Sequence, residues 1–123
     1  SVAVRVPAGP AQARRFEHRV AGVDANPYLI AAAVLAAARA GIAGRVDPGE
    51  PVSGNGYETA AARAASMPPD WRSAIERARG STFLREALGE GLHRSFLAIK
   101  QAEYLRVVRH VSELDYQLYL DGI

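Results

Sequence analysis

The 123-residue sequence has no cysteine, so disulfide staples, thiolate metal sites and cysteine nucleophiles are excluded from any account of it. Lys100, Trp71 and Met67 are each the single residue of their kind. No apolar run approaches the roughly 20 residues that cross a bilayer, since the longest, Tyr28 to Ala38, stops at Arg39. A transmembrane span is thereby excluded. No secretory leader pattern opens the sequence, and the absence of cysteine suits a reducing, cytoplasmic setting. Net charge is scarce as well: 15 basic against 13 acidic side chains leave +2, too little for a nucleic-acid or membrane-surface binder. The five tyrosines are not interleaved with basic residues, which argues against a base-stacking platform. His18, His93 and His110 lack metal-ligand spacing, and no serine sits in a nucleophile elbow. Gly54-Asn55-Gly56 follows no strand pattern and opens no helix pattern, so it reads as a turn rather than a phosphate loop.

The little charge there is lies unevenly. Residues 1–19 carry Arg5, Arg14, Arg15 and Arg19 against Glu17 alone, a local +3, while the remaining residues carry 11 basic and 12 acidic side chains. Nearly all the basic residues are arginines, whose planar fork grips phosphate and carboxylate bidentately.

The sequence starts at Ser1 with an immediate alternation of Val2, Val4 and Val6, as expected of a piece taken from a longer polypeptide. A second extended stretch, Arg14 to Val20, follows the turn region Pro7 to Pro10, so residues 1–20 are expected to form a strand pair. The strand period of two assigns Arg15, Glu17 and Arg19 to one face and Phe16, His18 and Val20 to the other, where His18 would be packed or at an interface. Asn26 and Pro27 then predict a helix over about 26–42, apolar nearly all round and therefore expected to be buried, with Gly41 as its stop. Residues 44–69, rich in glycine and proline, read as a long irregular connection.

Further helices are predicted over about 70–79, with Trp71, Ala74, Ile75 and Ala78 on one stripe, and over 81–89, capped by Ser81. A longer one over 91–111 would turn Leu92, Phe96, Ile99, Leu105 and Val108 inward and Arg94, Lys100, Arg106 and Arg109 outward. Ser112 to Asp115 resembles a capping box for a last helix over 112–120. The expected fold class is α+β: a short antiparallel strand pair followed by a mainly helical region.

The row Arg15, Glu17, Arg19, with Arg5 and Arg14 nearby, asks for more than packing. Its plain reading is an exposed strand face laced by cross-strand ion pairs. Its functional reading is a carboxylate offering hard oxygen donors to a cation, beside arginines that grip oxyanions. A non-catalytic helical module whose arginine-bearing strand pair binds anions fits the same residues.

Three consecutive motifs carry a resemblance: Ala3-Val4-Arg5-Val6-Pro7, Arg14-Arg15-Phe16-Glu17-His18-Arg19 and Asp24-Ala25-Asn26-Pro27-Tyr28-Leu29. In order and spacing they resemble the glutamine synthetase family, and the likeness extends through Met67-Pro68-Pro69, Phe83 to Gly89 and Lys100 to Glu103. The resemblance implies that residues 1–123 form a C-terminal portion of that family's catalytic domain, inactive alone. It implies an ATP-dependent carbon–nitrogen ligase that activates the γ-carboxylate of glutamate as an acyl phosphate and couples it to ammonia or an amine. ATP and magnesium or manganese would be the cofactors, and a ring of identical subunits the assembly.

By the same resemblance Glu17 takes the place of a metal-ligating glutamate and Arg19 that of a glutamate-binding arginine. Arg5 resembles an ATP-phosphate contact, and Arg15 an arginine that stabilises the transferred phosphate. Many relatives have lysine where this chain has Gln12, a departure at a nucleotide contact. The row continues Val20-Ala21-Gly22-Val23-Asp24 rather than aromatic, proline and acid, and Glu17 to Leu29 is similar to the branch that makes γ-glutamyl amides of polyamines. A regulatory tyrosine shortly before Leu-Pro is not matched by Met67-Pro68, with Tyr57 ten residues upstream. A family pseudoenzyme remains the other alternative.

Overall fold

The computed structural model describes residues 3–52, 54–55 and 67–120. Tyr57 and Gly56 lie outside the described residues, as does most of the second half of the 44–69 connection. The chain divides into two compact units, Ser1–Met67 and Pro68–Ile123.

The first unit starts with β1 (Val4–Arg5) and β2 (Glu17–His18), antiparallel, with Val4 opposite His18 and Arg5 opposite Glu17. These strands are much shorter than the alternating pattern predicts. A single 3-10 turn at Ala11–Ala13 lies between them, and beyond His18 the ladder ends with Arg19 N–H donating to the Ala3 carbonyl at 2.9 Å. His18 is exposed, not packed. Helix α1 (Pro27–Ala43) begins where Asn26 Oδ1 accepts the amides of Tyr28 and Leu29 at 3.0 and 3.2 Å, satisfying two of the three orphan donors left in a first turn whose N1 residue, Pro27, has no N–H.

Gly41 does not stop α1. The helix continues to Ala43 and closes in a Schellman arrangement, with Arg45 N–H donating to Ile42 at 3.2 Å and Val46 N–H to Gly41 at 2.9 Å. The left-handed residue this closure requires is Arg45, φ 49°, rather than a glycine. The expectation of a buried α1 is also overturned: none of its residues is buried, and Tyr28, Leu35 and Ile42 are 83%, 67% and 79% exposed. An alanine-rich helix has good intrinsic propensity and one strong cap, so it forms without an apolar partner for this face.

The second unit holds α2 (Trp71–Arg79), α3 (Thr82–Leu88), α4 (Glu90–Val108) and α5 (Glu113–Tyr119). Each start is a local polar contact where one is available. Asp70 Oδ1 accepts Ser73 N–H at 2.8 Å, and Ser81 Oγ accepts Leu84 N–H at 3.1 Å. Ser112 and Asp115 form the full reciprocal capping box of α5. Before α4 stands Gly89, whose φ of 77° and ψ of 150° suit glycine alone, and no side chain caps that helix.

Helices α2 and α3 both pack on α4, and the core lies there. Ile75 and Leu97 are its buried apolar residues, and His93 is buried beside them. The ring of His93 bonds through Nε2 to the Ala78 carbonyl at 2.9 Å. A carbonyl only accepts, so Nε2 carries the proton and ties the end of α2 to α4. Trp71 meets Tyr104 edge to face, ring centres 5.8 Å apart.

The inward stripe expected on the long helix is corrected by this packing. Leu92, Ile99 and Val108 are exposed, whereas His93 and Leu97 are buried and Phe96, Lys100, Gln101, Tyr104 and Leu105 half-buried. The chain as a whole exposes 10400 Å². Even two separate globules of half its mass would expose only about 7,700 Å². Much apolar surface is left uncovered.

Candidate arginine–glutamate site

The strand pair gathers its charged residues through register. Because Arg5 stands directly opposite Glu17, its guanidinium reaches the carboxylate across the ladder, Nη1 to Oε2 at 3.3 Å. Arg15 precedes Glu17 by two residues on the same face, and its Nη2 donates to Oε1 at 3.2 Å. Arg15 is further steadied by Nη1 donating to the Ala13 carbonyl at 3.3 Å, a contact made available by the 3-10 turn. Both oxygens of Glu17 therefore take a guanidinium, and the carboxylate is the least exposed of the three side chains.

Arg19, assigned to the same face by the strand period, joins no ion pair among the described residues, nor does Arg14. The candidate residues therefore divide. Arg5, Arg15 and Glu17 form one contiguous cluster, and Arg19 lies just past the last paired residue of β2 and outside that cluster. Both guanidiniums of the cluster are more than half exposed, so the ion pairs themselves contribute little stability and leave N–H donors for a ligand.

A hard cation needs several oxygen ligands, and no group of three or more His, Asp or Glu that could hold one occurs among the described residues. The cluster can offer a metal one ligand, Glu17. The chemistry within the cluster's reach is the binding of an oxyanion by the free N–H donors of Arg5 and Arg15. Of the histidines, His93 bonds the Ala78 carbonyl in the second unit, and His18 and His110 belong to no metal-holding group among the described residues.

A concave region lies in the second unit, among Arg79, Arg85 and Arg94. Those three residues come from three helices, so no motif or spacing brings them together in the sequence.

Residues 1–119 match the family model for the glutamine synthetase catalytic domain. The chain is 36% identical over 118 residues to glutamine synthetase of Methanosarcina mazei, covering 90% of this chain and 26% of that protein. It is 34% identical over 120 residues to gamma-glutamylputrescine synthetase of Escherichia coli, covering 98% and 25%. It is 32% identical over 123 residues to glutamate–methylamine ligase of Methyloversatilis universalis, covering 96% and 26%. The chain thus spans about a quarter of the length of the curated relatives it matches. With the model matched over nearly every residue, strand pair and helices included, the chain belongs to the glutamine synthetase family.

Proposed function

We propose that this chain is the C-terminal portion of a catalytic domain and supplies part of the active site of an ATP-dependent carbon–nitrogen ligase. The observation that carries the proposal is the Arg5–Glu17–Arg15 cluster on an exposed strand pair, in a chain that belongs to this family. Three relatives named for making glutamine, γ-glutamylputrescine and a glutamate–methylamine product share one reaction type. In that reaction a γ-carboxylate oxygen of glutamate attacks the terminal phosphorus of ATP, and ADP leaves. The nitrogen of ammonia or an amine then attacks the acyl carbon, the phosphate leaves, and the nitrogen gives up its proton. The substrates proposed are therefore glutamate, ATP and ammonia or a small amine.

Each residue of the cluster has a task in that scheme. Arg5 binds a nucleotide phosphate, Arg15 neutralises charge on the phosphoryl group in transfer, and Arg19 holds a carboxylate of glutamate. Glu17 supplies one ligand to magnesium or manganese, with the others coming from outside the described residues. When bound, such an ion neutralises phosphate charge. Ahead of ligand binding, the two arginines hold the Glu17 carboxylate in place and Glu17 keeps both forks directed along one strand face.

The apolar face left exposed on α1 supports the view that further catalytic-domain polypeptide or a neighbouring subunit covers it, and the assembly proposed is a ring of identical subunits in the cytoplasm.

The test is phosphate release by the intact protein with ATP, magnesium and glutamate, comparing ammonium, methylamine and putrescine. Release that depends on one of these amines is expected. Arg15→Ala should lower turnover by about 10²–10³-fold. Glu17→Gln should abolish metal-dependent turnover while the circular dichroism spectrum is retained. No release with any amine, even with manganese, would instead favour a pseudoenzyme or an anion-binding module, in which Glu17→Gln would bind anions slightly tighter because a negative charge is gone.

A further inference from the structure

We propose that the cleft between α2, α3 and α4 is a second, separate site, binding a small phosphate-bearing anion through Arg79, Arg85 and Arg94. The cleft has a volume of about 440 Å³, and Glu90, His93 and Gln101 complete its polar lining. Three guanidiniums against Glu90 in the lining and Glu76, which pairs with Arg79, give it a formal +1. Residues 68–123 as a whole carry eight basic and eight acidic side chains, so this charge is a local concentration in a neutral unit.

Two features argue that the arginines are there for a ligand. Arg79 is held, its Nε 3.5 Å from Glu76 and its Nη2 3.3 Å from Gln101 Oε1, but among the described residues neither Arg85 nor Arg94 forms an ion pair. The helix dipole accounts for Arg79 and Arg85, which stand in the last turns of α2 and α3. It does not account for Arg94, in the second turn of α4 near that helix's positive end, where a cation is disfavoured. His93 contributes position, since its bond to Ala78 holds the end of α2, and Arg79 with it, against α4.

Chemistry selects the ligand class. A carboxylate presents its two oxygens in one plane, as Glu17 does to two arginines, whereas a phosphate presents oxygens in several directions and suits donors arriving from three helices. No aromatic ring lines the cleft to stack a base, so the ligand is inorganic phosphate or a short-chain phosphomonoester rather than a nucleotide. The site is independent of the ligase reading, because every residue in it lies within 68–123.

The experiment is calorimetric titration of the intact protein with inorganic phosphate, glycerol phosphate, malonate and acetate at an ionic strength of about 0.15 M. A background with Arg5, Arg15 and Arg19 all replaced by alanine removes the strand-pair arginines as a competing phosphate site. Saturable binding of phosphate or glycerol phosphate is expected, weakened at least about tenfold by Arg85→Gln with Arg94→Gln. The paired lysine variants, which keep charge but lose the fork, should fall between. Both side chains are exposed, so helix content should be unchanged, and the lysine pair carries the test if the glutamine pair fails to fold. The proposal is overturned by absence of saturable binding, by equal affinity in the substituted proteins, or by malonate or acetate binding as tightly as phosphate.

Discussion

Replacing Leu97 by alanine tests which side of α4 faces the core. Leu97 is 5% exposed and is, with Ile75, one of the two buried apolar residues among those described. Truncating a buried leucine loses the transfer free energy of its methyl and methylene groups and leaves a cavity, together about 2–5 kcal/mol. A unit the size of Pro68–Ile123 has a total stability of roughly 3–8 kcal/mol at about 0.05–0.15 kcal/mol per residue. Leu97→Ala should therefore remove about a quarter or more of it and lower the melting temperature by about 8 °C or more. Trp71, the only tryptophan, packs on Tyr104 of α4, so its fluorescence reports on this unit in thermal or urea unfolding of the chain. Ile99, two residues further along the helix and 56% exposed, is the control: Ile99→Ala should cost less than about 1 kcal/mol. If Ile99→Ala proved as damaging as Leu97→Ala, the buried face described for α4 would be wrong.

Other outcomes are expected from the caps and glycines. Hydrogen bonds from Ser73 to Asp70 and from Ser112 to Asp115 hold both carboxyls below the usual aspartate range. A depressed folded-state value means stabilisation present above the unfolded value and lost as pH falls through the folded one. Helix signal should therefore hold above about pH 5 and decline below about pH 4, and Asp70→Asn with Asp115→Asn should flatten that decline in an acid titration followed by circular dichroism. Gly89→Ala should destabilise by about 1–3 kcal/mol although a Cβ would meet nothing within 4 Å, because its φ of 77° with ψ of 150° is closed to L side chains. Gly91→Ala, in the first turn of α4 and equally open, should be neutral or stabilise by up to about 1 kcal/mol, a difference in sign readable from urea midpoints.

The strand pair shows what sequence pattern resolves and what it overstates. Alternation of Arg15, Phe16, Glu17, His18 and Arg19 indicates extended chain and a common face for the charges, and Arg15 and Glu17 do meet. The same alternation implies long strands, but among the described residues only Val4–Arg5 and Glu17–His18 pair, because a ladder needs a partner and a covered face and here Glu17 alone of the four paired residues is even half-buried. Helix α4 departs from its pattern for a different reason. Leu92, Phe96, Leu97, Ile99, Leu105 and Val108 surround most of the helix, so several stripes fit the 3.6-residue period equally well. Where α2 and α3 dock selects among them, and the selected stripe includes His93, a residue that pattern reading discounts. The Arg79, Arg85 and Arg94 cleft was illegible for a similar reason, since each arginine read separately is an ordinary exposed helix residue.

What the sequence alone determined is the set of features completed within one turn of chain. The Asn26-Pro27 start, the Asp70–Ser73 and Ser81–Leu84 caps and the Ser112–Asp115 box each join residues two or three apart. The ordered motifs that mark the family are likewise read along consecutive residues. Tertiary structure alone decided the contacts between distant residues: Arg5 on Glu17 across 12 residues, His93 on Ala78 across 15, Arg79 on Gln101 across 22. Local contacts follow from backbone geometry that adjacent residues impose on one another. Distant ones form only once the intervening chain has been closed and the helices have packed, and which of several acceptable faces then meets is settled by the fit of the whole unit.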